Sequence, residues 1–520
     1  MKFYIVQMKV LQNGLEENFN SIKAAVARAK KAKADVVVFP PHALDGDFAM
    51  SCVFDDFFQS RKSAFQKKIL ALSKGVDIVF GMPSRIQYRE ACLVGVSAYC
   101  SKGRVADWKG KVAQFYAPPF GMKNKFSTDD DSRRFAASLS KKQRIPCIVP
   151  CSVGTCNSGK IIYALGNGTA VFDSKGKAVI EFPMFEEAEA LVEIDSKGNV
   201  KTDFVSVPRK KGIALIHDAL VYMIRENLRK FHIGRIVIGA SGGIDSAVSA
   251  VLYSEAIGAE NVYLVNMPTR FNSDTTKNAA KDLAANLGCP YMVAPISDML
   301  KSVKGSLEKC KFVRSDKKIK VEDINYENLQ ARTRSASVLV TIASVLGAGV
   351  TCNGNKSEAT TGYCTLYGDT CGVMCALGDL WKMQVYELAR YINRDKEIIP
   401  VASIEIPASA ELSDAMKVDE GKGDPIKYPY HDRLFAYWVE GNANIAETEK
   451  LLAKGSLCKK IGADPRYFKS LFKTNEETLA DMRYWYRRYK GIALAKRLQF
   501  PPILGVSGKA FGELVPEVQG

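Results

Sequence analysis

The run Ile236-Val237-Ile238-Gly239-Ala240-Ser241-Gly242-Gly243-Ile244-Asp245-Ser246-Ala247-Val248-Ser249 decides how the larger part of the chain folds. Its first four residues read as a short apolar strand, and Ala247-Val248-Ser249 opens a helix. Between them, Gly242 and Gly243 let the backbone turn tightly and aim N–H groups at an anion. The helix N-terminus adds the positive end of its dipole. Ser241 and Ser246 offer hydroxyls to phosphate oxygens. Asp245 is out of place in a purely anionic site unless it holds a cation, so Mg²⁺ is implied beside a polyphosphate. A glycine-rich turn that binds nothing would need neither the serines nor the aspartate. The loop lacks the lysine of a Walker A motif and is not a dinucleotide GxGxxG.

Outward from this loop, strands and helices alternate. Residues 215–230, 246–257 and 273–287 have helical spacing, and 235–239, 261–266 and 291–294 read as strands. Repeated βαβ predicts a parallel sheet covered on both faces. Upstream the texture differs. Short strands are expected at 3–9, 35–39, 77–82, 93–99, 105–108, 147–153, 169–172 and 191–194, with a helix over 18–33. The basic, proline-containing segment 206–211 reads as a linker. The predicted division is therefore 1–203 and 204–520.

Composition bounds the function classes. The chain has 520 residues, 73 Lys+Arg against 56 Asp+Glu and a net charge of +17, with 47% hydrophobic and 25% charged residues. This excludes a disordered, collagen-like or coiled-coil chain. No apolar run reaches the roughly eighteen residues of a membrane span. The start shows no signal-peptide layout, so a cytoplasmic location is expected. Thirteen cysteines without regular spacing suit reduced, buried thiols better than a disulfide framework. A pI near 9.1 permits nucleic-acid binding, with the best local case at 483–497. That segment interleaves Arg483, Arg487, Arg488, Lys490, Lys496 and Arg497 with aromatic residues. It reads more simply as a helix with one solvated face and aromatic core contacts. No nucleic-acid module signature is visible, and nucleic acid is not an expected partner.

The loop Ser241-Gly242-Gly243-Ile244-Asp245-Ser246 resembles the SGGxDS loop of the ATP pyrophosphatases, which cleave ATP between its α and β phosphates. Later segments narrow the resemblance. They are Tyr326 to Arg334, Asn353-Gly354-Asn355-Lys356-Ser357-Glu358, Gly362 to Asp369, Gly378-Asp379-Leu380-Trp381-Lys382, Pro407 to Leu412, Asp419-Glu420, and Lys496 to Pro502. In order, spacing and identity they are similar to NAD synthetase over roughly 212–515. The resemblance implies adenylation of nicotinic acid adenine dinucleotide on its carboxylate by ATP, then attack by ammonia, giving NAD, AMP and pyrophosphate. It assigns ATP and pyrophosphate contacts to Ser241, Gly242, Gly243, Ile244, Asp245, Ser246, Arg332, Asn353, Lys382 and Ser409. It assigns Mg²⁺ to Asp245 and Glu358, and the dinucleotide to Asn328, Tyr363, Asp369 and Lys496. Asp245, Asp369 and Lys382 are the expected catalytic set, with Asp369 receiving ammonium. Two departures stand out: Asn353 and Met383 occupy positions where the family usually has Thr, and Met cannot replace a hydroxyl donor.

The front part resembles the nitrilase-type amidase domain of glutamine-dependent NAD synthetases. The matches are Val36 to Pro40, Lys109-Gly110-Lys111 with Phe120 and Phe126, Asn167 to Asp173, and Phe182 to Glu187. The implied fold class is α/β throughout, an αββα sandwich followed by a doubly wound parallel-sheet domain. Amidase chemistry needs a cysteine nucleophile, a glutamate base and an oxyanion-binding lysine. Lys111 matches the lysine, but Pro41 stands where the glutamate follows Phe-Pro. The chain runs from Phe126 through the polar stretch 127–132 to Arg133, so the nucleophile strand reads as deleted. His42, Cys147, Cys151 and Cys156 read as structural. The expectation is therefore an inactive front domain and free ammonia as nitrogen donor, in at least a dimer formed through the synthetase domain. The alternatives are a glutamine-dependent enzyme with another nucleophile or a partner glutaminase, a non-catalytic nucleotide-binding regulator, and a pyrophosphatase acting on RNA.

Overall fold

A computed structural model of the chain describes residues 1–46, 55–81, 97–106, 113–114 and 131–512. The contacts divide it into two compact units. One comprises Met1–Ser158, Ile162–Leu215 and Val506–Gly508, and the other Gly159–Ile161, Ile216–Gly505 and Lys509–Gly520.

Period-two alternation builds the first unit. Strands Lys2–Gln7, Val36–Val38 and Asp77–Gly81 run parallel at the centre of a seven-stranded sheet, with Ala188–Ile194 antiparallel on the far side of Lys2–Gln7. Phe3, Ile5, Val36 and Val38 point to one face, where they pack on Ile148, Val171 and Ile180 of a second, four-stranded sheet. Val6, Val37 and Phe80 point to the other face, onto Ile22 and Val26 of helix Leu15–Lys31 and Phe65 and Ile69 of helix Asp56–Leu72. The second sheet turns Cys147, Val149 and Ala170 to Ala136 of helix Asp131–Gln143. The layers are helix, sheet, sheet, helix, the nitrilase-like αββα sandwich expected from the sequence. Residues 93–96 and 107–108 of two expected strands lie outside the described residues; Ser97–Ser101 and Arg104–Ala106 are strands.

The second unit is built on a four-stranded sheet in the order Tyr291–Val293, Val262–Asn266, Ile236–Gly239, Gly349–Val350, every pair parallel. Ile236, Val237 and Ile238 are fully buried, as a strand covered on both faces must be. The chain order reverses direction beside Ile236–Gly239, and such a switch point opens a crevice at the carboxyl ends of the strands. The helix that carries the segment Tyr326 to Arg334 is irregular. It starts at Asp323, winds as a π-helix over Thr333–Leu339 and resumes as α-helix over Val340–Leu346. Downstream helices, among them Tyr428–Val439 and Asn475–Lys490, close a separate core around Trp381, Tyr430, Phe435, Trp438 and Trp485. The basic segment 483–497 belongs to this core: Trp485 is buried, Arg483 pairs with Glu449, and Arg497 is buried against the Tyr489 carbonyl. Among the described residues no helix is long and apolar enough to cross a membrane.

Candidate active site

The glycine-rich loop leaves strand Ile236–Gly239 and enters helix Ile244–Ile257, as its sequence requires. Gly242 has φ of 84° and lies so close to Thr276 that an added Cβ would meet the Thr276 carbonyl oxygen at 2.0 Å. The two serines are locked together. Ser241 Oγ lies 3.1 Å from Ser246 Oγ and accepts the Gly243 N–H, while Ser246 Oγ donates to the Gly243 carbonyl. Ser403 Oγ donates to the Gly242 carbonyl at 2.8 Å, fixing the loop from below.

The loop opens on a cavity of about 440 Å³. Of the residues expected at the nucleotide, Ser241, Gly243, Ile244, Asp245, Ser246, Asn353, Lys382 and Ser409 line it, as do Glu358, Asn328, Tyr363, Asp369 and Lys496. Two do not. Gly242 is turned into Thr276 and serves the bend. Arg332 is exposed, donates to the Leu366 carbonyl and is replaced at the cavity by Arg334. Two residues further along the helix the side chain emerges on nearly the opposite face. Arg334 donates to the Met267 carbonyl and to Asn272, and burial holds its guanidinium down at about 10.

Asp245 and Glu358 converge on one positive charge. Lys382 Nζ bonds Asp245 Oδ2 and lies 3.9 Å from Glu358 Oε1. Asn355 orients both carboxylates. Its side chain donates to Asp245 at 3.1 Å and accepts the Glu358 N–H, closing a capping box at helix Lys356–Thr361. Burial, then Asp245, pushes the Glu358 carboxyl well above its ordinary range. Burial works against the Lys382 ammonium, but Asp245, Glu358 and Asp424 outweigh it and raise its pKa. Among the described residues no three His, Cys, Asp or Glu side chains form a metal cluster. Two hard carboxylates meeting at the place of an ammonium nevertheless suit Mg²⁺, which takes one or two carboxylates and fills its remaining positions with water and phosphate.

Asp369 also lines the cavity and accepts the Thr365 N–H; it is exposed there, and partial desolvation within the cavity pushes its carboxyl up to about 6. Lys496 Nζ donates to the Gly362 and Cys364 carbonyls, and Arg488 to those of Thr361 and Gly362. These two cations complement the carboxyl end of helix Lys356–Thr361. Met383 turns its side chain outward, 38% exposed, and its N–H donates to Asp432 at 2.9 Å. A hydroxyl contact at this position is therefore absent. Beneath the site Lys356 is fully buried, bonding Asp379 at 2.8 Å and Glu440 at 3.2 Å, while the Trp381 indole N–H donates to Glu440.

Residues 216–474 match the family model described as NAD synthase. The second unit carries an NAD synthase family domain. Among curated relatives, the chain is 34% identical over 298 residues to the glutamine-dependent NAD(+) synthetase of Rhodobacter capsulatus, covering 55% of this chain and 51% of that one. It is 34% identical over 296 residues to the enzyme of the same name from Synechocystis, covering 57% and 50%. The chain thus spans about half the length of the curated relatives it matches. Two solved structures share the fold. A glutamine-dependent NAD+ synthetase from Acinetobacter baumannii gives a TM-score of 0.65 at 22% identity, covering 88% of this chain and 92% of that one. One from Cytophaga hutchinsonii gives 0.71 at 14%, covering 100% and 99%.

The residues expected to carry amidase chemistry lie in the first unit. Pro41 and His42 sit in a buried turn whose Asp45 pairs with buried Lys62. Burial alone would raise the Asp45 carboxyl, but His42 and Lys62 bring it down to about 2. Cys147, Cys151 and Cys156 are buried, and burial pushes the Cys147 thiol up to about 12. Lys109, Lys111, Phe120, Phe126 and residues 127–130 lie outside the described residues; Asp131 and Ser132 begin a helix.

Sequence reasoning missed Asn355, Arg334, Asp424 and Arg488. Asn355 carried a legible signal, an Asn-x-x-Glu capping pattern ahead of Glu358. The other three did not, because only the fold decides which arginine or loop aspartate turns inward.

Proposed function

We propose that the second unit converts nicotinic acid adenine dinucleotide to NAD, by adenylating its carboxylate with ATP and then admitting ammonia. One observation carries this reading: the serine-locked phosphate loop opens on the same cavity as the Asp245–Lys382–Glu358 cluster and Asp369. The loop N–H groups and hydroxyls bind the diphosphate end of ATP. Lys382 neutralises charge as the α–β bond breaks, and fixed positive groups at a developing anion supply the largest part of such catalysis. Mg²⁺ held by Asp245 and Glu358 would supply further positive charge there. Asp369, with a carboxyl poised near neutrality, receives the proton that ammonium sheds before attack. The boundaries 1–203 and 204–520 stand as the proposed amidase-like and synthetase domains of a cytoplasmic enzyme.

On the nitrogen donor, the relatives' names favour glutamine over the free ammonia expected from the sequence, and give no support to an inactive front domain. One observation in this chain favours ammonia: Pro41 supplies no base in its buried turn. Purified protein supplied with the dinucleotide, ATP, Mg²⁺ and either glutamine or ammonium chloride tests both points. NAD formation with neither donor, beside an Asp245→Ala control, defeats the synthetase reading. Comparable rates with glutamine, once contaminating ammonia is removed, place the donor with the relatives.

A dimer through the synthetase domain remains part of the proposal. It is supported by apolar side chains left exposed on the run 323–346, where Ile324 is 61% and Val345 81% exposed.

A further inference from the structure

Lys382 stands where the proposed cation must go. Its ammonium bonds Asp245 and lies 3.9 Å from Glu358, the two carboxylates that suit Mg²⁺. An ammonium and a divalent cation cannot share that point. Lys382 is 4% exposed at its side chain, its backbone N–H is held by Ser357 Oγ at 3.0 Å, and its side chain lines the cavity. Its four-carbon stem can swing within the cavity.

A second acceptor waits there. Asp424, 8% exposed, lines the same cavity; its Oδ1 is buried without a partner of proper hydrogen-bond geometry, the Tyr363 hydroxyl acting on the carboxylate only loosely. Its other oxygen accepts from Tyr428 Oη at 2.8 Å. A buried polar oxygen left without a proper partner is costly, so such an atom requires an explanation. The Lys382 ammonium already lies 5.4 Å from the centre of the Tyr428 ring, whose hydroxyl holds Asp424. Asp424 and Lys382 act on each other electrostatically. We infer that Asp424 is a positioning residue that receives the Lys382 ammonium when a divalent cation displaces it from Asp245 and Glu358. The cation site is emptied by a swing between carboxylates rather than by exposing a charge.

The inference rests on the proposed metal site but needs no turnover. Mn²⁺ alone is titrated into the full chain by calorimetry, with folding checked by thermal unfolding. Asp424→Asn should weaken Mn²⁺ binding about tenfold, because the ammonium then has nowhere to go. Lys382→Met should tighten it, because the competitor is gone; Lys382→Gln serves if that variant does not fold. In either Lys382 background, Asp424→Asn should change affinity less than twofold. An undiminished effect of Asp424→Asn there would make Asp424 a direct metal ligand and overturn the inference, as would an unchanged affinity in the single variant. Wild-type protein that binds no Mn²⁺ would overturn it together with the metal site. Normal Mn²⁺ responses without NAD formation would instead count against the proposed reaction alone.

Discussion

Gly242 is held by geometry rather than by ligand chemistry. With φ at 84° and the Thr276 carbonyl 2.0 Å from any added Cβ, Gly242→Ala must move backbone. The left-handed conformation alone costs about 1–2 kcal/mol for an L-residue, and the clash adds to it. A lower thermal midpoint with loss of nucleotide binding is expected. Asp369 sets a pH limit. Desolvation within the cavity raises its carboxyl to about 6, so proton acceptance is lost as pH falls through 6 and intact above it. The amidation rate should fall about tenfold per pH unit below that point, and Asp369→Asn should lower it by roughly 10²–10⁴ and erase the limb. The stability sign is opposite. The folded state binds this proton more tightly than the unfolded chain, so the partly desolvated carboxylate costs some stability as pH rises from the ordinary aspartate range through 6. The phosphate loop was legible because strand, glycine turn and helix follow one another locally. Which of Arg332 and Arg334 faces the cavity was not legible, because it depends on the facing of a helix whose winding changes at Thr333.

At the scale of elements, the site joins segments that the sequence keeps far apart. Ser357 Oγ donates to Asp432 at 2.6 Å and accepts the Lys382 N–H at 3.0 Å, tying helix Lys356–Thr361 to helices Lys382–Ile392 and Tyr428–Val439. Burial pushes the Asp432 carboxyl up to about 7, and Ser357 is among the donors that oppose this. Ser357→Ala strands two buried partners, so unfolding measurements should show a loss of about 1–3 kcal/mol. The Asn-x-x-Glu pattern at Asn355 was a usable sign of the start of the first of these helices, though the sequence reading passed over it. The π-helical stretch Thr333–Leu339 was not announced, since its residues fit an α-helix equally well and only packing selects the wider turn.

At the scale of the whole molecule, alternation was the most readable signal. Strands Lys2–Gln7 and Val36–Val38 place successive side chains on the two sides that the sandwich requires. The parallel sheet of the second unit was legible for the same reason, through runs buried on both faces. The donor of nitrogen was not, because it turns on Pro41 and on the neighbourhood of Lys111 rather than on any periodic pattern. Association belongs to this scale too. Val345→Glu should convert the proposed dimer to monomer in sedimentation experiments, and an unchanged mass would remove residues 323–346 from the interface.

Three charges locked away beneath the cavity set a last consequence. Lys356, Asp379 and Glu440 confer alignment more than strength, since apolar side chains of similar volume often replace such a group without loss of stability. A chain carrying Lys356→Met, Asp379→Leu and Glu440→Leu should therefore melt no earlier than its parent, yet turn over more slowly. The stretch bearing Glu358 and the one bearing Lys382 would no longer be keyed to a common depth, and tolerance of heat would part company with catalytic competence.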